Sequence, residues 1–330
     1  MIMQTRTFGR SGRQVTVMGL GLAALGRPGY ITLGHADDLA HDYEVTVMAE
    51  RTHRILDAAW AAGIRYFDAA RSYGRAEDFL GGWLRARALP AESVMVGSKW
   101  GYIYTADWRV EADKHEIKDH TLPTLQQQWQ ETQAHLGGYL DLYQIHSATL
   151  ESGVLENTAV LNALVQLKQA GTLIGLSLSG PAQSEVLVKA IPLTVDGVPV
   201  FDSVQATWNL LETSAGGALQ AAHDAGLGVI VKEALANGRL TPRTDESGLR
   251  SVLQTQADRL HTTLDGLALA AVLAQPWATI VLSGAARLDH LESNVGALAV
   301  QWDDEAAASL AGLAEPPEAY WQHRSALAWN

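Results

Sequence analysis

From about residue 18 to residue 300, short apolar runs alternate with longer stretches of helical period. The runs are MGLGLA, RYFDAA, VMVGSKW, DLYQIH, LIGLSLS, DSVQAT, LGVIVKE and ATIVLSG. Near-continuous apolar runs between helices predict parallel strands covered on both faces. Eight of them favour a closed (β/α)8 TIM-type barrel, an α/β fold, over an open doubly wound sheet. The intervening helices carry their own punctuation. VTVMAERTHRILDAAWAAG ends at Gly63, NTAVLNALVQLKQAG opens on Asn157 and ends at Gly171, and ETSAGGALQAAHDAG ends at Gly226, matching the preference for Asn at helix starts and Gly just past their ends. Pro181 is expected just inside the next helix. HTTLDGLALAAVLAQ stops before Pro276. A last helix, DDEAAASLAGLA, is expected to pack outside the barrel.

Three stretches exceed the minimal repeat. Residues 4–17 alternate around Gly9, Ser11 and Gly12 and read as a β-hairpin. Residues 25–44 and 100–121 form long loops after the first and third strands. Both fall at the C-terminal face, where barrel enzymes carry their sites. No linker or internal repeat divides the chain, so residues 1–330 are read as one barrel domain.

Composition narrows the function classes. A formal net charge of -12 with no basic stretch argues against nucleic acid. The absence of cysteine removes disulfides, thiolate nucleophiles and Cys-ligated metals, and fits a reducing cytoplasm. No apolar run approaches the ~20 residues of a membrane span, and MIMQTRTFGRSGR has no signal-peptide apolar core. The histidines show no close pairing, so no metal site is expected. MGLGLAALG is glycine-rich but lacks the spacing of a dinucleotide fingerprint. The sequence carries no reading of oligomeric state.

The chemistry is suggested by polar residues at strand ends. Asp68 closes RYFDAA's apolar part, Tyr73 follows in RSYGRAE, Lys99 closes SVMVGSKW, and His146 closes YLDLYQIH. Singly, Asp68 reads as a turn cap, Tyr73 as packing, Lys99 as a solvated charge and His146 as a core histidine. Together, at the mouth of a barrel, a Tyr, a Lys and a His can deliver a proton to a carbonyl oxygen. An ammonium favours the phenolate and so lowers a Tyr pKa, and Asp68 can anchor that ammonium.

At these positions, and nearly end to end from RTFGRSGRQVTVMGLGLAALG to VLSGAARLDHLESNVGAL, the chain resembles the aldo-keto reductases. The resemblance implies that Tyr73 is the general acid, Lys99 tunes it, Asp68 holds Lys99, and His146 orients the substrate carbonyl. It implies that the N-terminal hairpin plugs the barrel bottom. It also implies a nicotinamide cofactor, since no side chain supplies hydride. Ser177 and Gln205 are similar to the carboxamide contacts, with Leu178 where the family often has Asn. Trp208 stands where a ring usually stacks on the nicotinamide. VKEALANGRLT resembles the belt over the pyrophosphate, with Ala234 before Leu235 where Pro is usual. There Lys232 and Glu233 either face the mouth or pair with each other. Ser283 and Gly284 open SGAARLDHLESN, near backbone amides that favour phosphate. Asn294 matches the adenine contact. Arg287 is the candidate for a 2′-phosphate, which suggests NADP(H) over NAD(H), although His290 occupies a position that is often Arg.

Trp100, Tyr102, Tyr104 and Trp108, with Tyr320, Trp321 and Trp329 of the tail, are expected near the substrate. An aromatic lining favours ring-bearing or apolar carbonyls, or the faces of sugars. Ser147, Ala148 and Thr149 replace the family's usual Arg or Lys followed by Pro-Asp. The expected activity is NADP(H)-dependent reduction of an aldehyde or ketone. The alternatives are a sugar dehydrogenase on the same scaffold, a nicotinamide-binding sensor with little turnover, or an unrelated aldolase using Lys99 as a Schiff base.

Overall fold

The structure is a computed structural model, described here for residues 3–330. Eight parallel strands close into a barrel: β1 Met18–Gly21, β2 Tyr66–Asp68, β3 Met95–Trp100, β4 Leu140–Ala148, β5 Leu173–Leu178, β6 Ser203–Thr207, β7 Gly228–Lys232 and β8 Ile280–Ser283. Each pairs with its neighbour in sequence, and β8 closes the ring onto β1 through Val281 opposite Met18. The helices after the strands are α1 Val45–Ala61, α2 Ala76–Ala86, α3 Leu122–Leu136, α4 Thr158–Gln169, α5 Gln183–Ala190, α6 Gly216–Asp224, α7 Leu264–Leu273 and α8 Leu288–Gly296. All eight expected strands are present, in the expected order.

The local signals act as their chemistry dictates. Asn157 caps α4 by accepting from the Val160 N–H at 3.2 Å. Asp303 caps the outer helix Asp304–Leu310. Pro181 precedes its helix rather than entering it, because α5 begins at Gln183. There the Gln183 side chain is buried and spends its amide on the Thr207 backbone at 2.9 and 3.2 Å.

Alternate residues fill the barrel interior. Toward the bottom, Phe8 packs with Tyr66, Met95, Leu142, Ile230, Ile280 and Leu282. Phe8 belongs to the N-terminal hairpin, whose strands Thr5–Thr7 and Gln14–Thr16 pair antiparallel. A Cβ on Gly228 would lie 2.6 Å from the Phe8 ring, so only glycine lets the plug seat. Above this layer the interior turns polar, with Asp68, Lys99, Gln144 and Gln205 all buried. The outward-facing residues of the strands pack under the helices in two large clusters.

The long loops are more structured than their sequences announce. Residues 100–121 contain a hairpin, Tyr102–Tyr104 against Glu116–Lys118, and residues 25–44 contain the short helix His35–Asp38. Two further helices, Ser247–Arg259 and Pro317–Ala326, lie outside the repeat. Among the described residues no helix is long and apolar enough to cross a membrane.

Candidate active site

A cavity of about 680 Å³ opens at the C-terminal ends of the strands. Asp68, the last residue of β2, and Lys99, near the end of β3, are 2 % and 0 % exposed and form an ion pair. Lys99 Nζ also donates to the Ala69 carbonyl at 3.0 Å and to Tyr73 Oη at 3.3 Å. Asp68 further accepts from Gln205 at 2.9 Å, Tyr66 at 3.2 Å and Gln144 at 3.3 Å. A buried carboxylate so surrounded holds the ammonium in one place.

Tyr73 sits in the loop between β2 and α2. The loop lies against the first loop so closely that a Cβ on Gly26 would meet the Tyr73 carbonyl at 2.3 Å. The Arg75 N–H seals the contact with the Gly26 carbonyl at 2.7 Å. Glycine at 26 therefore sets where the phenol stands. His146 comes from β4, with Nε2 3.5 Å from Tyr73 Oη and Nδ1 3.3 Å from Ser72 Oγ. A Ser72 hydroxyl that donates to Nδ1 would leave the ring proton on Nε2, beside Tyr73 Oη. Burial, with the charges of Lys99 and Arg27, holds the His146 pKa well below its ordinary value, so the ring is neutral.

The Tyr73 phenol departs from the expected direction. Burial and the Asp68 charge hold it well above its ordinary value, and Arg27 pulls the other way. Lys99 is close, but Asp68 answers its charge. Tyr73 therefore carries its proton at neutral pH and can act only as a donor to an oxygen that becomes basic.

Beyond His146, β4 kinks. Ser147 adopts the left-handed φ of 54°, and its N–H donates to Ser177 Oγ at 2.8 Å. Ser177 thus braces the kink and is not among the cavity-lining residues, whereas Ser179 is. Glu233, next to Lys232, is left-handed as well, at φ 55°. Such backbone in non-glycine residues gathers where a site over-determines it.

Of the other expected contacts, Gln205, Lys232, Leu235, Ser283, Gly284, Asn294 and Tyr102 line the cavity. Four do not. Trp208 points outward from β6 into the core and packs edge-on against Trp277 at 5.6 Å. Trp100 is likewise outward and fully buried, against His120. Trp108 packs on Phe79 and donates to the Tyr43 carbonyl at 2.7 Å. Arg287 is half exposed and forms a bidentate pair with Asp289 at 2.9 Å. Of the tail aromatics only Trp329 reaches the cavity; Tyr320 and Trp321 join a core cluster.

In their place the cavity is lined by charges, of which Arg27, Glu116, Arg324, Arg243 and Asp38 are absent from the sequence reading. Arg27 bonds Glu116 at 3.1 Å, and Arg324 forms a bidentate pair with Glu233. Lys232 Nζ donates to Thr207 Oγ1 at 2.8 Å and lies 3.6 Å from Glu233. Burial draws the Lys232 ammonium down to about 8, opposed by Glu233. Burial alone would raise the Glu233 carboxyl, but Arg324 and Lys232 bring it to about 2. At the far end of the cavity Arg243 is doubly bonded to Asp38, and His290 Nδ1 lies 3.9 Å from the same carboxylate. The Leu33 N–H also meets the Asn237 carbonyl at 3.0 Å. The loop after β1 is thereby joined to the loop after β7, over the end of β8, which stands between those strands in the barrel. Arg27 follows the first-strand glycines and Glu116 falls in the flagged loop, but nothing in their neighbourhoods marked either. Arg324 lies on a helix the sequence did not announce.

The model of the Aldo/keto reductase family matches residues 18–315. The chain is 26% identical to "Aldo-keto reductase str7" of Strobilurus tenacellus, covering 96% of this chain and 94% of that one. It is also 26% identical to L-glyceraldehyde 3-phosphate reductase of Escherichia coli (strain K12), covering 90% and 88%. The holo form of an aldo-keto reductase from Bacillus halodurans superposes with a TM-score of 0.73 over 98% of this chain and 99% of that one, at 23% identity.

Proposed function

The chain belongs to the aldo/keto reductase family, and from that premise we propose that it reduces an aldehyde or ketone to the alcohol, with Tyr73 as proton donor. The observation that carries this reading is the meeting of Tyr73 Oη with Lys99 Nζ at 3.3 Å and His146 Nε2 at 3.5 Å, at the edge of one cavity. A carbonyl oxygen placed between Tyr73 and His146 accepts from both. As the carbon takes a hydride, the oxygen becomes basic and Tyr73 gives up its proton. The phenolate left behind meets the Lys99 ammonium, which Asp68 prevents from moving. His146, being neutral, orients the oxygen without competing for the proton.

The residues lining the rest of the cavity fit a nicotinamide nucleotide, which supplies the hydride when bound. Asn237 lines this cavity, and its buried Oδ1 has no partner in the protein. Gln205, Lys232, Leu235, Ser283, Gly284 and Asn294 would hold the nucleotide. The expectation of NADP(H) rested on Arg287, which lies outside the cavity, and the cations inside its far end are Arg243, already paired with Asp38, and His290. With every permanent cation there neutralised, NADH and NADPH should bind within about tenfold of each other.

The same residues run the reverse reaction, so oxidation of an alcohol or sugar is the second reading, favoured by the charged side chains Arg27, Glu116, Lys232, Glu233 and Arg324 among the lining. The test of the first is Tyr73→Phe. With cofactor affinity kept, carbonyl reduction should fall ~100- to 10,000-fold. Activity within tenfold of the native protein would remove Tyr73 from the reaction.

A further inference from the structure

We propose that Arg27 is a specificity-determining residue that selects carbonyl compounds bearing a hydroxyl on the carbon next to the carbonyl. The proposal rests on Tyr73 being the group that meets the carbonyl. Arg27 is 3 % exposed, yet it lines the cavity. Its guanidinium carbon stands over the Tyr73 ring at 5.1 Å, with the Tyr30 ring at 5.3 Å and the Trp329 ring at 4.8 Å. Three aromatic rings fix the guanidinium, so it cannot swing to find another acceptor. Both of its hydrogen bonds leave from Nη1, to the Ser72 carbonyl and to Glu116, each at 3.1 Å. Nε is closed off, so the donor left for a ligand is Nη2, which makes no hydrogen bond within the chain.

A charged donor with no partner in the protein bonds strongly to a ligand oxygen that reaches it. The guanidinium stands over the ring of the residue whose hydroxyl meets the carbonyl. The first substituent it encounters is therefore on the adjoining carbon. The neighbouring charges decide what that substituent is. Glu116 and Glu233 both line the cavity, and a carboxylate beside Arg27 would be set against Glu116. A hydroxyl accepts from Arg27 and donates to Glu116 with the same oxygen. Tyr30, Tyr102, Ser147 and Ser325 continue the polar wall for further hydroxyls.

The test compares 2-hydroxypropanal with propanal, which differ by that hydroxyl alone, and adds glyoxylate as the anionic alternative. In the native chain kcat/KM for 2-hydroxypropanal should exceed that for propanal by about tenfold to a hundredfold. Arg27→Met and Glu116→Gln should each bring the ratio toward one. Because the readout is a ratio, any effect of Arg27 on Tyr73 acidity cancels. A native ratio near one, an unchanged ratio in Arg27→Met, or a preference for glyoxylate overturns the proposal. Should neither aldehyde be turned over, the reading of Tyr73 fails, and Arg27 is judged by binding. With nicotinamide nucleotide present, 1,2-propanediol should then raise the melting temperature more than 1-propanol in the native chain and not in Arg27→Met. Equal shifts overturn it.

Discussion

Removing the Lys99 ammonium tests whether the polar layer of the barrel is one coupled unit. In Lys99→Met the Asp68 carboxylate remains, 2 % exposed, with only the neutral donors Gln205, Tyr66 and Gln144 around it. Breaking a buried pair from one side costs about 3–5 kcal/mol, because the surviving charge stays buried and unpaired. Asp68→Asn strands the ammonium with the Ala69 carbonyl and the Tyr73 hydroxyl, and should cost a similar ~3–5 kcal/mol. The double variant buries no lone charge. Its amide can still accept from Gln205, so its loss should be only ~1–2 kcal/mol. The expected coupling is thus at least about 4 kcal/mol, readable by urea denaturation of the four proteins. Additive losses, within about 0.5 kcal/mol, would refute the reasoning. They would mean that water or local rearrangement relieves each charge on its own.

Three other outcomes follow from the same structure. Burial holds His35 and His120 down to about 4 from an ordinary 6.5, so below pH ~6.5 the unfolded chain binds protons that the folded chain refuses. Stability is then full above that pH and falls with acid, by about 2 kcal/mol per histidine near pH 5. His35→Phe should recover its share in urea titrations at the two pH values, and an unaltered pH dependence would exclude His35. Trp208→Ala should cost ~3 kcal/mol or more of stability while leaving nicotinamide affinity unchanged, measured by fluorescence titration; a large loss of affinity would return Trp208 to the cavity. Arg287→Ala should leave NADPH affinity within about twofold, because its partner Asp289 is a surface pair, whereas Arg243→Ala should alter it; the opposite ranking would reinstate Arg287.

The barrel was legible because eight apolar runs and their capped helices say the same thing at every repeat. The gathering of Asp68, Tyr73, Lys99 and His146 was legible because a polar residue ending a buried strand has few other uses. The errors around it share a cause. Side chains along a strand alternate, and Gln205 facing inward obliges Trp208, three positions on, to face outward, as Val204 and Ala206 do in the same core. The same parity that turns Lys99 inward turns Trp100 away. Position in a motif overrode period in both readings. Ser177 has inward parity, but the Ser147 kink captured its oxygen, and a left-handed serine leaves no trace in sequence. Arg27, Glu116 and Arg324 were illegible for another reason. They come from a loop, a loop hairpin and a terminal helix, so their meeting is purely tertiary.

The junction of Asp38 with Arg243 has a consequence for the timing of the reaction. It ties together two loops that are distant in sequence, and the chain's last residue is drawn in beside them, its amide accepting from the Ala36 N–H and donating to the Thr32 carbonyl at 3.2 and 3.1 Å. On the proposed reading, proton donation by Tyr73 would need none of these contacts to break, whereas exchange of a nucleotide held beneath them would. The catalytic clock would then be kept by the span rather than by the tetrad: steady-state turnover would quicken as salt loosens the ion pair, while the first turnover, begun with everything already aboard, would run at the same speed.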